Sequence, residues 1–235
     1  MHAVREYNQK QIQDRDARAR VLVVDDHPAI REALGDAIER NVGLTYVGGA
    51  ASASEAFSLL TKSPTDVAII DVALGDADGL DLIQNLRAQF PDLRVVVFSM
   101  YDELIYAERA IRAGAAGYVM KNVPTTTIIE AIRCVLRGDI YLSRHMASRM
   151  LTRIASPGRA RPDRHAALDV LTDRELSVVQ MMGQGYTVDK VAQRLHLSRK
   201  TVETYRRRAK EKMGFDSVTE LLQFAVRWTY GQSSQ

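Results

Sequence analysis

The chain has 235 residues, 46% hydrophobic and 26% charged, with 32 Lys and Arg against 29 Asp and Glu. That content is too apolar for a disordered chain, and a lone cysteine, Cys134, excludes an intrachain disulfide scaffold. No apolar run approaches the ~18 residues of a membrane span and residues 1–20 carry no signal-peptide core, so the expected location is cytoplasmic, with no membrane partner.

The net charge of +3 hides a separation. Residues 20–141 hold 11 basic and 17 acidic groups, a net of −6, whereas 142–169 and 170–235 are each +4. Four segments are expected: an N-terminal extension, 1–19, that is flexible; an acidic module, 20–141; a linker helix and flexible linker, 142–169; and a basic module, 170–235. Such asymmetry points to a nucleic-acid partner for the basic part.

In chain order, the short continuous apolar runs 21–24, 67–70 and 95–98 predict strands buried on both faces of a parallel sheet, and 44–47 and 117–120 are weaker strands. Helix patterns lie between them at about 29–39, 53–62, 79–89, 103–112 and 125–137. Five βα units predict an α/β, doubly wound, five-stranded parallel sheet with helices on both faces. Cys134, in the last of these helices, is expected to be a small buried core residue. A helix over 143–154, capped by Ser143, precedes a linker marked by Pro157, Gly158 and Pro162.

Beyond residue 170 only helix patterns follow. The first opens on the capping box Thr172-Asp173-Arg174-Glu175 and is stopped by Gly183 and Gly185. Thr187 caps the second. Ser198 caps a long basic helix closed by Gly214, and the fourth spans 217–230. This is an all-α, four-helix module.

In an open parallel sheet, ligands bind beyond the carboxyl ends of the strands. There the first strand ends in Asp25-Asp26, the third in Asp71, the fourth in Ser99 and the fifth in Lys121. Three carboxylates on one rim repel one another, and hard oxygen ligands suit Mg2+. With the charge offset, one carboxylate can attack phosphorus, and Lys121 and Ser99 can hold the phosphoryl oxygens. A dinucleotide site would need glycines where Asp25-Asp26-His27-Pro28 stands, and an Asp-nucleophile hydrolase would usually add a cap domain.

The run Val21-Leu22-Val23-Val24-Asp25-Asp26-His27-Pro28, with Asp71, Ser99 and Gly117-Tyr118-Val119-Met120-Lys121, resembles the flavodoxin-like receiver domain of two-component response regulators. The resemblance implies Asp71 as phosphoacceptor, Asp25, Asp26, Asp71 and the Ala73 carbonyl as Mg2+ ligands, Ser99 and Tyr118 as a switch pair, and Lys121 as the phosphoryl-binding lysine. The implied donor is a sensor histidine kinase. Beyond intrinsic autophosphorylation and autodephosphorylation, no enzyme activity is expected. Met100 stands where Ala is usual and is expected to crowd the phosphoryl site. Gly75 stands where Pro is common. Ala73 and Tyr101 offer no obvious group to orient an attacking water, so a long-lived phosphoryl group is expected. Met100 and Gly75 also favour the alternative, a phosphorylation-independent receiver used for dimerisation or ligand sensing.

Leu171-Thr172-Asp173-Arg174-Glu175, Gly183-Gln184-Gly185-Tyr186-Thr187, Leu197-Ser198, Thr201-Val202 and Lys212-Met213-Gly214 resemble the LuxR-type helix-turn-helix. With the receiver, the chain is similar to the NarL/FixJ class of response regulator. The resemblance implies a double-stranded DNA partner, base-edge positions at Glu203, Thr204 and Arg207, and backbone contacts from Lys190, Ser198, Lys200, Thr201, Tyr205, Arg206 and Lys210. Val202, Ala209 and Met213 would face the core. Leu221, Leu222 and Ala225 are the expected homodimer contacts, and Trp228 fits core and interface equally. In this class the inactive receiver is expected to cover the basic helix, as the charge separation allows.

Overall fold

A computed structural model describes residues 18–74, 79–155, 168, 170–195 and 197–230. The expectations for 1–17, Gly75 and the linker stretch 156–167 lie outside the described residues. The chain divides into two compact units, 1–147 and 148–235.

The first unit is a parallel sheet of order β2-β1-β3-β4-β5: β1 (Ala19–Val24), β2 (Leu44–Ala50), β3 (Val67–Ile70), β4 (Arg94–Ser99) and β5 (Gly117–Met120). The helices are α1 (Pro28–Glu39), α2 (Ala53–Lys62), α3 (Gly79–Gln89), α4 (Glu103–Arg112) and α5 (Thr125–Leu136). Val21, Leu22, Val24, Val67, Val95 and Val97 are fully buried, as strands covered on both faces require. One side of the core joins Val21, Val23, Ile69 and Val96 to Ile38 of α1 and Ile128 and Ile132 of α5.

Two elements depart from the sequence reading. β2 does not stop at Val47 but runs to Ala50, with a register shift opposite Val21 and Leu22. Gly48, at φ +144°, adopts a conformation that side-chain-bearing residues rarely take. Cys134 is half-buried rather than a core residue.

The chain after α5 returns to the sheet edge. Tyr141 donates its N–H to the Ala116 carbonyl and accepts from the Tyr118 N–H, both at 2.9 Å. Two residues on, the Ser143 hydroxyl donates to Glu103 of α4 at 2.5 Å and accepts the Met146 N–H at 3.1 Å. Ser143 thus caps α6 (Arg144–Ala155), and Met146 is buried.

The second unit holds α7 (Asp173–Gly183), α8 (Val188–Leu195), α9 (Arg199–Lys212) and α10 (Val218–Tyr230). The Thr172–Glu175 capping box forms in both directions, and Glu175 also takes the Lys212 ammonium at 2.7 Å, tying the start of α7 to the end of α9. Gly185, at φ +86°, ends α7. Gly183 is not a stop: it is the last residue of α7, and a Cβ there would lie 2.5 Å from the Ala225 carbonyl oxygen, so its missing side chain lets α10 approach. Leu221 and Ala225 are correspondingly buried within the fold and offer no exposed dimer face; Leu222 is half-buried. Trp228 is buried as well.

Candidate functional site

The order β2-β1-β3 reverses the direction of winding between β1 and β3, which opens a crevice at their carboxyl ends. Each acidic or basic group there stands one residue past its strand and is still held by the ladder. The Asp25 N–H donates to Ala50, the Asp71 N–H to Val24, and the Lys121 N–H to Ser99, at 3.0, 2.8 and 2.7 Å. The backbone therefore aims these side chains before any side-chain contact forms.

Asp25, Asp71 and Lys121 meet in the crevice. The Lys121 ammonium lies 2.6 Å from Asp25 Oδ2 and 2.5 Å from Asp71 Oδ2, with all three side chains no more than 5% exposed. Asp71 Oδ1 accepts the Ala73 N–H at 2.9 Å, a local turn that fixes the carboxylate against its own backbone. Asp26 is partly exposed beside them. His27 Nδ1 lies 2.7 Å from Asp26 and 3.2 Å from Asp25, a contact the sequence reading gave no part in the chemistry. Oxygen atoms of Asp25, Asp26 and Asp71 and a His27 nitrogen all fall within 4.8 Å of one another.

Burial pushes the Asp71 carboxyl above its usual range, against the pull of Lys121, and Asp25 adds to the rise. Burial acts on Lys121 in the opposite sense, but Asp71 and Asp25 outweigh it and hold the ammonium above its ordinary value. Two carboxylates face one ammonium and a third, Asp26, stands beside them, an excess of negative charge that a divalent cation would offset. The carboxylate oxygens of Asp25, Asp26 and Asp71 make a donor set of the hard, oxygen-rich kind that suits Mg2+.

Ser99 is fully buried at the end of β4, and its hydroxyl accepts the Tyr101 N–H at 3.2 Å. Tyr118 is buried too, with its hydroxyl donated to the Tyr101 carbonyl at 2.9 Å. Burial raises the Tyr118 phenol well above its ordinary value, so it stays a neutral donor. Tyr118, one of the expected switch pair, is held inward in this structure. The Tyr101 ring stacks on Tyr106 at 4.6 Å. Met100 is 67% exposed and faces solvent, so it does not fill the crevice, contrary to the expected crowding.

In the second unit, Val202 and Ala209 turn the apolar side of α9 into the core, while Met213 is half-buried. The other side of α9 carries Lys200, Glu203, Thr204, Arg206, Arg207 and Lys210, which line one open groove with Asp216 and Val218. Thr201 and Tyr205 are half-buried on the same helix, and Lys190 stands exposed on α8. The Ser198 hydroxyl accepts the Thr201 N–H at 3.0 Å as the N-cap of α9. The Thr204 hydroxyl donates to the Lys200 carbonyl, and Arg207 pairs with Glu211 at 3.0 Å. Arg199, which the sequence reading passed over, bridges Asp189 and Glu203.

Residues 21–133 match the family model of the response regulator receiver domain, and residues 169–225 that of the bacterial regulatory proteins of the luxR family. The chain is 33% identical over 208 residues to the response regulator GacA of Pseudomonas aeruginosa, covering 88% of this chain and 95% of that one. It is 32% identical over 207 residues to the DNA-binding transcriptional activator DevR/DosR of Mycobacterium tuberculosis, covering 88% and 94%. A LuxR-family two-component response regulator from Aurantimonas sp. SI85-9A1 has a solved structure with a TM-score of 0.54 and 31% identity, over 58% of this chain and 98% of that one. No helix among the described residues is long and apolar enough to cross a membrane. The chain belongs to the NarL/FixJ-type response regulators, transcriptional regulators in which a receiver domain is joined to a LuxR-type DNA-binding domain.

Proposed function

We propose that Asp71 accepts a phosphoryl group from a sensor histidine kinase in the cytoplasm, and that this modification sets the DNA affinity of the LuxR-type domain. The observation that carries the reading is the Lys121 ammonium held between Asp25 and Asp71 at the carboxyl ends of β1, β3 and β5. An Asp71 oxygen forms the new O–P bond as the N–P bond of the donor phosphohistidine breaks and the imidazole leaves with the bonding pair. Lys121 then moves its hydrogen bond from Asp71 to a phosphoryl oxygen, and the Ser99 hydroxyl takes another. Asp25, Asp26, Asp71 and the Ala73 carbonyl would hold Mg2+, which when bound offsets the negative charge gathered on the carboxylates and phosphoryl oxygens.

Recruiting Ser99 draws its hydroxyl from the Tyr101 N–H, the residue whose carbonyl holds Tyr118. Tyr118 and Glu103 also carry the two attachments of the linker, through Tyr141 and Ser143. A change at Ser99 is therefore two hydrogen bonds from Tyr118, through Tyr101, and a third joins Tyr118 to Tyr141 ahead of α6. Phosphorylation, which adds about −1.5 to −2 charges, then favours release of the basic domain and homodimers on DNA.

The test is incubation of the full chain with acetyl phosphate and Mg2+, read by intact mass. One phosphoryl adduct, absent in Asp71→Asn, is expected. No adduct, or one that survives Asp71→Asn, overturns the reading.

A further inference from the structure

We infer that Arg199 is a specificity-positioning residue for DNA reading, which holds the Glu203 carboxylate against phosphate repulsion and aims it at a base edge. This rests on the reading of the α9 groove as the DNA-facing surface.

The starting point is that Arg199 is poorly placed for stabilising its own helix. It occupies the first turn of α9, which has no acidic residue, and the positive end of a helix disfavours a cation. An Arg four residues before a Glu is also the weaker order for a helical ion pair. Yet two of the three Arg199 guanidinium nitrogens are held by carboxylates. Nη1 donates to both oxygens of Asp189 on α8, at 2.9 and 3.0 Å, and Nε donates to Glu203 Oε1 at 3.2 Å. One planar fork thus spans the turn between α8 and α9 and ends on Glu203.

Glu203 needs such a partner. It shares the groove with Lys200, Arg206, Arg207 and Lys210, the set that fits a phosphate backbone, and is the acidic residue of α9 in that set. An uncompensated carboxylate there would oppose DNA. Paired through one oxygen to Arg199, it presents the other as an acceptor, the chemistry that recognises the exocyclic amine of cytosine. Asp189 keeps the guanidinium from swinging out to a phosphate. A lysine cannot reproduce this fork, because its three donors radiate from a single nitrogen.

The experiment selects binding sites from a randomised duplex pool with the full chain, comparing the parent with Arg199→Ala, Arg199→Lys, Glu203→Ala and the double Ala variant. The parent is expected to prefer cytosine by about tenfold at one position of each half-site. Arg199→Ala and Arg199→Lys flatten that position to about threefold or less and leave the other positions and the salt slope unchanged. In the Glu203→Ala background, Arg199→Ala has no further effect on base preference. A uniform loss at all positions with a shallower salt slope would make Arg199 a phosphate contact and overturn the inference. So would an unchanged profile, or loss of α-helical circular dichroism in both Arg199 variants, which would make the residue structural. If the parent binds no duplex in the pool, the underlying DNA-facing reading fails instead.

Discussion

Replacing Lys121 with Met keeps the apolar stem and removes the charge that faces Asp25 and Asp71. Removing one partner of a buried ion pair costs about 3–5 kcal/mol, because the remaining charge is left uncompensated. Here two carboxylates lose one ammonium, yet each keeps a backbone donor: the Ala73 N–H for Asp71 and the His27 N–H for Asp25. The expected loss at neutral pH is therefore about 3–5 kcal/mol and not twice that. Acid shrinks the deficit. A carboxyl whose folded pKa is raised contributes stability below its unfolded pKa and loses it as pH rises through the folded value. Asp71 is already raised by burial, and losing Lys121 removes the main influence opposing that rise. Mg2+ shrinks it too, by about 2.7 kcal/mol at a hundredfold excess over Kd. The lone tryptophan, Trp228, belongs to the other unit, so its fluorescence is not a probe built into this sheet. Hydrogen exchange of peptides from β1, β3 and β5 in the full chain reads the opening free energy of the sheet directly. A loss under about 1 kcal/mol that responds to neither pH nor Mg2+ would refute the charge reasoning.

Three further predictions concern the switch, the phosphoryl group and the DNA surface. Tyr118→Phe removes the donor to the buried Tyr101 carbonyl; it should cost about 1–3 kcal/mol and speed exchange across the β4–α4 junction, and unchanged exchange there would contradict the assigned hydrogen bond. Because the Tyr101 ring is stacked away on Tyr106 and Ala73 carries only a methyl, the phosphoryl group on Asp71 should persist for hours; a half-life of seconds counts against it. Arg207→Ala should cost about 1–3 kcal/mol and relax one base position, whereas Lys200→Ala should weaken all sequences alike, and equal losses on specific and random DNA for both would contradict those assignments.

Much of this organisation was legible because it follows from local rules. A strand buried on both faces must be continuously apolar, so 21–24, 67–70 and 95–98 marked themselves. The polar residue after each run then fell on one rim once the strands were parallel. What escaped depends on partners distant in sequence. Gly48-Gly49 reads as a turn, and only pairing with β1 makes it a bulged strand. The Tyr141 and Ser143 attachments join residues with no shared pattern. An apolar stripe on α10 is the same whether it meets its own domain or a second copy; the missing Cβ of Gly183, which admits Ala225, decides for the interior. Met100 was read by type as an obstruction, but type does not fix the direction a side chain takes.

The central claim is that one carboxylate governs DNA binding. The most direct measurement is the affinity of the full chain for a selected operator before and after loading with acetyl phosphate and Mg2+, beside Asp71→Asn treated identically. The account predicts a rise of about tenfold or more for the parent, equivalent to about 1.4 kcal/mol of coupling, and none for the variant. Equal affinities with and without the phosphoryl group, or the same rise in Asp71→Asn, would contradict it.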